Sequence, residues 1–206
     1  MSSHLPAARL PAARRRRQLL DVALHEFAAR GFHRTSMDEL AEAAGVTKPV
    51  LYQHFPSKRA LYLELLDDVG TQLLEAILEA TSGAGGPRAQ VEAGFAAYFR
   101  AVAGQGEAFR LLFGGGARRD DEFAEAVRRV EVAIADAVAA LIAADIDDDH
   151  RRLLAHAIVG IAEGIARQLL ASDGSVDPDV VAAQVAELAW AGLRGIGSTA
   201  AIRTGG

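Results

Sequence analysis

From Arg14 onward, apolar residues fall at Leu20, Ala23, Leu24, Phe27 and Ala28, the spacing that gathers them on one helical face. Gly31 follows Arg30 and marks the end of that helix. The next run, "TSMDELAEAAG", sets Glu39 three residues after Ser36, the spacing of a capping box, and predicts a short second helix ending at Gly45. A third short helix begins at Thr47 and stops at Pro56. Ser57 then stands where a cap is needed for a long fourth helix, about 57–81. Beyond the breaker "SGAGGP" (82–87) the pattern predicts helices near 88–103, 105–113, 119–144, 148–171 and 178–196. Strand-like alternation is almost absent, so the fold class is all-α with about nine helices.

Three short helices with a glycine-marked turn between the second and third describe a helix-turn-helix. Leu24 and Phe27 are placed to meet Leu40 and Ala41 of the second helix and Val46 and Leu51 of the third. The expected organisation is a flexible basic arm over 1–13, a helix-turn-helix domain over 14–60 and a larger helical body over 61–206. The helix at 57–81 joins the last two.

Charge sharpens that division. Residues 1–60 carry ten cations and five anions, a net +5, and the remaining chain carries −10. A basic head on an acidic body points to a nucleic-acid partner for the head alone. The stretch "GVTKPVLYQHFPSK" (45–58) then acquires a chemistry. Thr47 is placed to cap the third helix by accepting from the Val50 N–H, and Pro49 sits in the first turn, where its missing N–H breaks no helical bond. Lys48 suits guanine O6 or N7, while Pro49 and Val50 offer apolar surface to a thymine methyl. Tyr52, His54, Lys58 and Ser36 are placed for flanking phosphates, which set register without choosing sequence.

Other chemistry finds little support. There is no cysteine, which excludes disulfides, thiolate metal sites and cysteine nucleophiles. The serines sit at caps, linkers or tails, and none occupies a G-x-S-x-G elbow. His150 and His156 are six apart, which is not same-face spacing, and "GGG" at 114–116 lacks the Lys-Ser/Thr of a phosphate loop. No catalytic residue, metal ligand or cofactor site is assigned. No stretch approaches the roughly 20 uncharged apolar residues of a membrane span, and the N-terminus lacks an apolar signal core. The expected location is cytoplasmic, without a membrane partner.

"TSMDELAEAAGVTKPVLYQHFPSKRALYLELL" (35–66) is very similar to the DNA-binding signature of the TetR/AcrR family of bacterial transcriptional regulators. The resemblance covers residues 14 to 66. It implies phosphate contacts at Ser36, Tyr52, His54 and Lys58, and base-edge positions at Met37, Thr47, Lys48, Pro49 and Val50. One departure is Arg59, where the family usually has glutamate, followed by Ala60. The resemblance also implies a ligand-binding and dimerisation body, homodimeric binding to palindromic double-stranded DNA, and repression relieved by an effector. The rival reading is an architectural, non-sequence-specific DNA binder, which the "RRRR" of 14–17 would also serve.

In the body, "AIVGIAEGIA" places Gly160 and Gly164 on one face beside Ile161, which would let a second helix approach closely. Val185, Leu188, Ala189 and Gly192 form a stripe on the last helix, with Trp190 beside it as an anchor. These residues are the expected dimer interface, against a competing reading of intrachain packing. Phe95, Tyr98, Phe99, Phe109, Leu112, Phe113 and Phe123 are the expected lining of an apolar effector pocket, against a competing reading of plain core. "VTKPVLYQHFPSK" (46–58), "EAFRLLF" (107–113) and "AWAGL" (189–193) together resemble the actinobacterial fatty-acid-synthesis regulators within the family, which implies a long-chain acyl-CoA effector. Arg118, Arg119, Arg128 or Arg129 would then meet its phosphates.

Overall fold

The computed structural model describes residues 11–113, 120–171 and 176–196. Most of the expected arm over 1–13, and both Arg118 and Arg119, lie outside them. Among the described residues the order is α1 Ala12–Arg30, α2 Met37–Ala43, α3 Lys48–His54, α4 Lys58–Ser82, α5 Pro87–Gly104, α6 Gly106–Phe113, α7 Asp121–Leu141, α8 Asp148–Ala171 and α9 Pro178–Ile196. The chain divides into two compact units, 1–65 and 66–206, with α4 continuous from one into the other.

The first unit closes around α1. Leu19, Leu20, Ala23 and Phe27 are buried there, with Leu40, Ala41, Leu51 and Phe55. Leu24, expected in that core, is only half-buried, because Ala23 takes the central position with no exposure. The unit extends past the expected limit at residue 60. Leu61, Tyr62 and Leu65 are buried, and the Tyr62 ring meets Phe27 edge-on at 5.1 Å. Burial pushes the Tyr62 hydroxyl pKa up to about 12.

Local chemistry fixes the turns. Gly31 adopts φ 80 and donates to Phe27 O at 2.8 Å, ending α1. Ser36 and Glu39 form the full capping box at the start of α2. Between α2 and α3, Gly45 adopts φ 63, and the Val46 N–H donates to Ala41 O at 2.9 Å. Thr47 precedes α3, but its hydroxyl makes no cap bond. Its carbonyl instead accepts from Val50 and Leu51, so the expected side-chain cap is replaced by backbone. Ser57 caps α4, accepting from the Ala60 N–H at 3.0 Å.

In the second unit α5 is central, lying against α9, α8 and α6, while α7 runs along α8. Asp120 caps α7 through the N–H groups of Glu122 and Phe123. That helix stops at Leu141, earlier than the expected 144, because Ile142 turns extended. The Arg151 guanidinium reaches back and donates to the carbonyls of Ile142, Ala144 and Ile146, which holds the following loop away from helical form.

α8 has two apolar faces. Ala155, Val159, Ala162 and Ala166 are buried in the unit, while Gly160, Ile161, Gly164 and Leu153 are exposed, Leu153 by 66%. The double character makes Asp148–Ala171, at 24 residues, long and apolar enough by composition to cross a membrane, although its Glu163 and Arg167 pair at 3.4 Å.

The Val130 side chain of α7 lies directly on the α4 backbone at Gly70. A Cβ built there would lie 2.3 Å from Val130 Cγ2. Glycine inside a helix costs about 0.5–1 kcal/mol relative to alanine, so its presence here has a packing reason. Gly70→Ala should lose about 1–3 kcal/mol by overpacking, despite the better helix propensity. Chemical denaturation of the two proteins checks the sign; a more stable alanine variant would mean the helices separate freely.

Candidate nucleic-acid interface and ligand cavity

α3 is only seven residues long, so neighbours must hold it. Arg16 on α1 is one such neighbour. Its guanidinium donates to His54 O at 2.8 Å, pairs with Glu64 on α4, and lies 4.5 Å from the centre of the Phe55 ring. Lys58 is the other. Its ammonium donates to the carbonyls of Phe32 and Thr35, each at 2.8 Å, and sits 4.4 Å above the Phe32 ring. Lys58 was expected to point at a phosphate. In the structure it is half-buried and braces the α1–α2 turn against α4.

The outer side of α2 and α3 carries the remaining expected contacts. Thr47, Lys48 and Pro49 are exposed, Val50 and His54 are half-buried, and Tyr52 is 42% exposed. Ser36 is exposed, but its hydroxyl donates to Glu39 Oε2 at 2.8 Å and accepts from the Glu39 N–H. The Ser36 backbone N–H, which donates to Glu39 Oε2 at 2.8 Å, and then that hydroxyl, with Arg30 nearby, hold the Glu39 carboxyl below the usual carboxylate range. Met37 departs from expectation. At 8% exposure it belongs to the core and reaches the surface only as the floor of a groove, so it is not presented to base edges.

That groove is lined by Ser36, Lys48, Tyr52 and Lys58, and also by His33 and Arg34, which the sequence reading passed over. Their only signal was two basic residues three and two positions before the α2 cap. Arg34 donates to Arg30 O at 2.8 Å, which directs it along the end of α1. The groove is not wholly cationic. Lys48 Nζ pairs with Asp38 Oδ1 at 2.8 Å, linking the first turns of α3 and α2. Asp38 raises the Lys48 pKa through that hydrogen bond and its charge. Both partners are exposed, so the pair adds little stability and exchanges readily.

The second unit contains a cavity of about 380 Å³, within the size range of small-molecule sites. Its walls come from α4 (Ile77, Thr81), α5 (Val91, Gly94, Phe95, Tyr98), α7 (Ile134, Val138), α8 (Ile158, Ala162) and α9 (Trp190, Leu193). Of the seven expected pocket residues, Phe95 and Tyr98 line it. Phe99, Phe109, Leu112, Phe113 and Phe123 are instead solid core, packed in part through Tyr98–Phe109 and Phe109–Phe113 ring contacts. The Tyr98 hydroxyl is buried without a hydrogen-bond partner, and burial, with Glu163 secondarily, pushes its pKa far up. It therefore remains protonated.

The expected dimer residues also divide. Gly160, Ile161, Gly164, Leu188 and Gly192 are exposed, and nothing lies within 4 Å of a Cβ added at any of the three glycines. Val185 and Ala189 are buried within the chain, on the side where α9 meets α5. Trp190 faces the cavity rather than standing free as an anchor. The last-helix stripe thus serves two faces, because a helix packed on one side still has apolar residues on its flanks.

Residues 19–65 match the family model described as bacterial regulatory proteins, tetR family, and 87–192 match the tetracyclin repressor-like C-terminal domain. The chain is 35% identical over 90% of its length, and 85% of the relative's, to the HTH-type transcriptional activator FasR of Mycolicibacterium smegmatis. A TetR-like transcriptional regulator from Rhodococcus sp. RHA1 superposes with TM-score 0.74 at 30% identity, covering 91% of this chain and all of that one. FadR of Bacillus subtilis, solved in complex with stearoyl-CoA, shares the fold with TM-score 0.75 at 17% identity, covering 84% of this chain and 96% of that one.

The Lys48–Asp38 pair gives a test of the interface. Lys48→Ala should cost about 1–3 kcal/mol on a selected operator and relax preference at one base pair. Asp38→Asn should raise affinity for random DNA more than for operator, since it removes a negative charge that every phosphate backbone meets. Fluorescence anisotropy on both DNAs checks each variant; equal losses for Lys48→Ala would reduce that residue to a phosphate contact.

Proposed function

This chain belongs to the tetR family of bacterial regulatory proteins, and we propose that it is a homodimeric, ligand-responsive transcription factor whose effector occupies the cavity of the second unit. The observation that carries the proposal is the placement of Ile77 and Thr81. They wall the cavity, and they lie on the same helix, α4, whose first turns belong to the DNA-binding unit. An occupant that displaces them moves a rod that continues into the reading head. For DNA affinity to fall, the effector must bind more tightly to the arrangement that does not fit the operator.

A long-chain acyl group, as in an acyl-CoA, is the proposed effector class. The mostly apolar walls suit an acyl chain, and a relative of the same fold was solved with stearoyl-CoA. Arg128 pairs with Glu125, and Arg129 lies 3.6 Å from Asp67. Neither lines the cavity, so neither is retained as a phosphate partner.

Dimerisation is proposed through the uncovered face of α8 and α9. Leu153, Ile161 and Leu188, with exposures of 66%, 37% and 64%, leave a run of apolar surface that water disfavours. Gly160 and Gly164 lie between them with open space above their backbones. One recognition helix reads too few base pairs for genomic specificity, and a two-fold pair reads a palindrome. The sign of regulation is set by where the operator lies on its promoter. The repression expected from the family resemblance is therefore replaced here by ligand-controlled DNA release as the proposed invariant step, since the near-full-length relative is named an activator.

Gly94 offers the decisive variant. It lines the cavity in mid-helix, and a Cβ there would meet only Thr81 Cγ2, at 3.4 Å. Gly94→Phe should fill the cavity, leave operator affinity in place and abolish its response to acyl-CoA, as read by anisotropy with and without ligand. A variant that still releases DNA on acyl-CoA would place the effector elsewhere. Gly160→Leu should shift the sedimentation profile toward monomer, and an unchanged profile removes that face from the interface.

A further inference from the structure

The cavity has a closed end and an open end. At the closed end Phe95, Tyr98, Ile134, Val159 and Ala162 are all buried. At the other, Pro87, Ala143, Asp145 and Arg194 line it and are exposed. Along α5, the eleven residue steps from Pro87 to Tyr98 span about 16 Å at 1.5 Å per step. The space is therefore a blind channel, entered near the end of α9 and the loop that follows α7.

Its polar groups are unevenly placed. Thr81 is neutral and occupied, donating to Ile77 O at 2.8 Å, and Tyr98 keeps its hydroxyl buried in the deep wall. The remaining polar side chains, Gln90, Asp145 and Arg194, are not buried and gather toward the entrance. Arg151 holds the entrance loop by donating to three of its carbonyls, so its charge is committed to the backbone. Arg100 and Arg167 are likewise paired, with Asp179 at 2.6 Å and Glu163 at 3.4 Å. Arg194 is different. It lines the channel, and among the described residues it has no ion-pair partner. A cation in the last turn of a helix is favoured by the dipole, which explains its presence on α9. That does not explain its position on the lip of an apolar channel.

We propose that Arg194 is the head-group clamp of the effector site, and that the effector is an amphiphile with an anionic head, bound tail-first. The tail lies along Gly94 toward Tyr98, and the head stays at the lip. Arginine suits this role because its planar fork donates two parallel hydrogen bonds to a carboxylate or a phosphate. Asp145 repels an anion on its own side of the lip and so steers the head toward α9. This rests on the reading of the cavity as an effector site and adds the orientation of the ligand and the residue that selects its charge.

The chain has a single tryptophan, and Trp190 lines the channel, so its emission reports occupancy without DNA. The full-length protein should be titrated with palmitate, palmitoyl-CoA and hexadecanol, each below its micelle concentration. In the unsubstituted protein at least one of the two anions should bind roughly ten-fold tighter than the alcohol. Arg194→Gln should bring that anion to the alcohol's value and leave the alcohol unchanged, and Arg194→Lys should recover part of the preference. Loss of preference for palmitoyl-CoA alone assigns the clamp to phosphate, and loss for palmitate as well assigns it to any anionic head. A preference that survives in Arg194→Gln, or its absence in the unsubstituted protein, overturns the clamp while leaving the cavity an effector site. No emission change with any of the three overturns the effector site as well.

Discussion

A seven-residue helix has no stability of its own in water, because nucleation costs more than so few hydrogen bonds return. α3 is such a helix, and the DNA-reading surface depends on how it is held. Leu51 anchors it to the core, and Phe55 closes its end. Two cations hold the surrounding frame. Arg16 ties the α3 C-terminus to α1 and α4, and Lys58 ties α4 to the turn before α2. Both spend charge on carbonyl oxygens and aromatic faces inside the unit. The basic character of the first sixty residues therefore overstates the charge available to DNA. Part of it is structural mortar.

This explains what could be read from the sequence and what could not. Helix ends were legible because they are local events. Ser36 with Glu39, Gly45, Pro56 and Ser57 each mark a boundary through bonds within a few residues. Partners far apart in sequence were not legible. Nothing in the spacing of Lys58 says that it reaches back 26 residues to Phe32 O. The family resemblance puts Met37 at a base edge, but its helix turns it inward. The aromatic cluster on α5 and α6 was ambiguous for a deeper reason. A cavity wall and a solid core use the same apolar side chains, and periodicity reports the face without reporting what lies opposite it. Phe95 and Phe99 are one turn apart with stacked rings 6.1 Å between centres, yet only the first lines the hollow.

The second unit divides its apolar surface among three uses. α8 gives one face to the unit's interior and leaves another uncovered, with open space beside the small residues of the uncovered face. α9 contributes Val185 and Ala189 to the packing against α5, Trp190 to the hollow and Leu188 to the outside. Few residues separate these roles, so one substitution on α9 touches more than one of them. Arg151 adds a further economy. By satisfying the carbonyls that follow α7 it stops that helix and shapes the entrance of the channel at once.

The contact at Gly70 limits how α4 can move. Helix surfaces are ridged, and a rotation of α4 by one residue would bring a side chain against Val130 in place of bare backbone. Spinning about its own axis is therefore closed to this helix near that point. Leu66, Val69, Leu73 and Ile77 of α4 are buried along the same stretch, so the helix is seated over several turns and the bare backbone at Gly70 fixes the register of that seat.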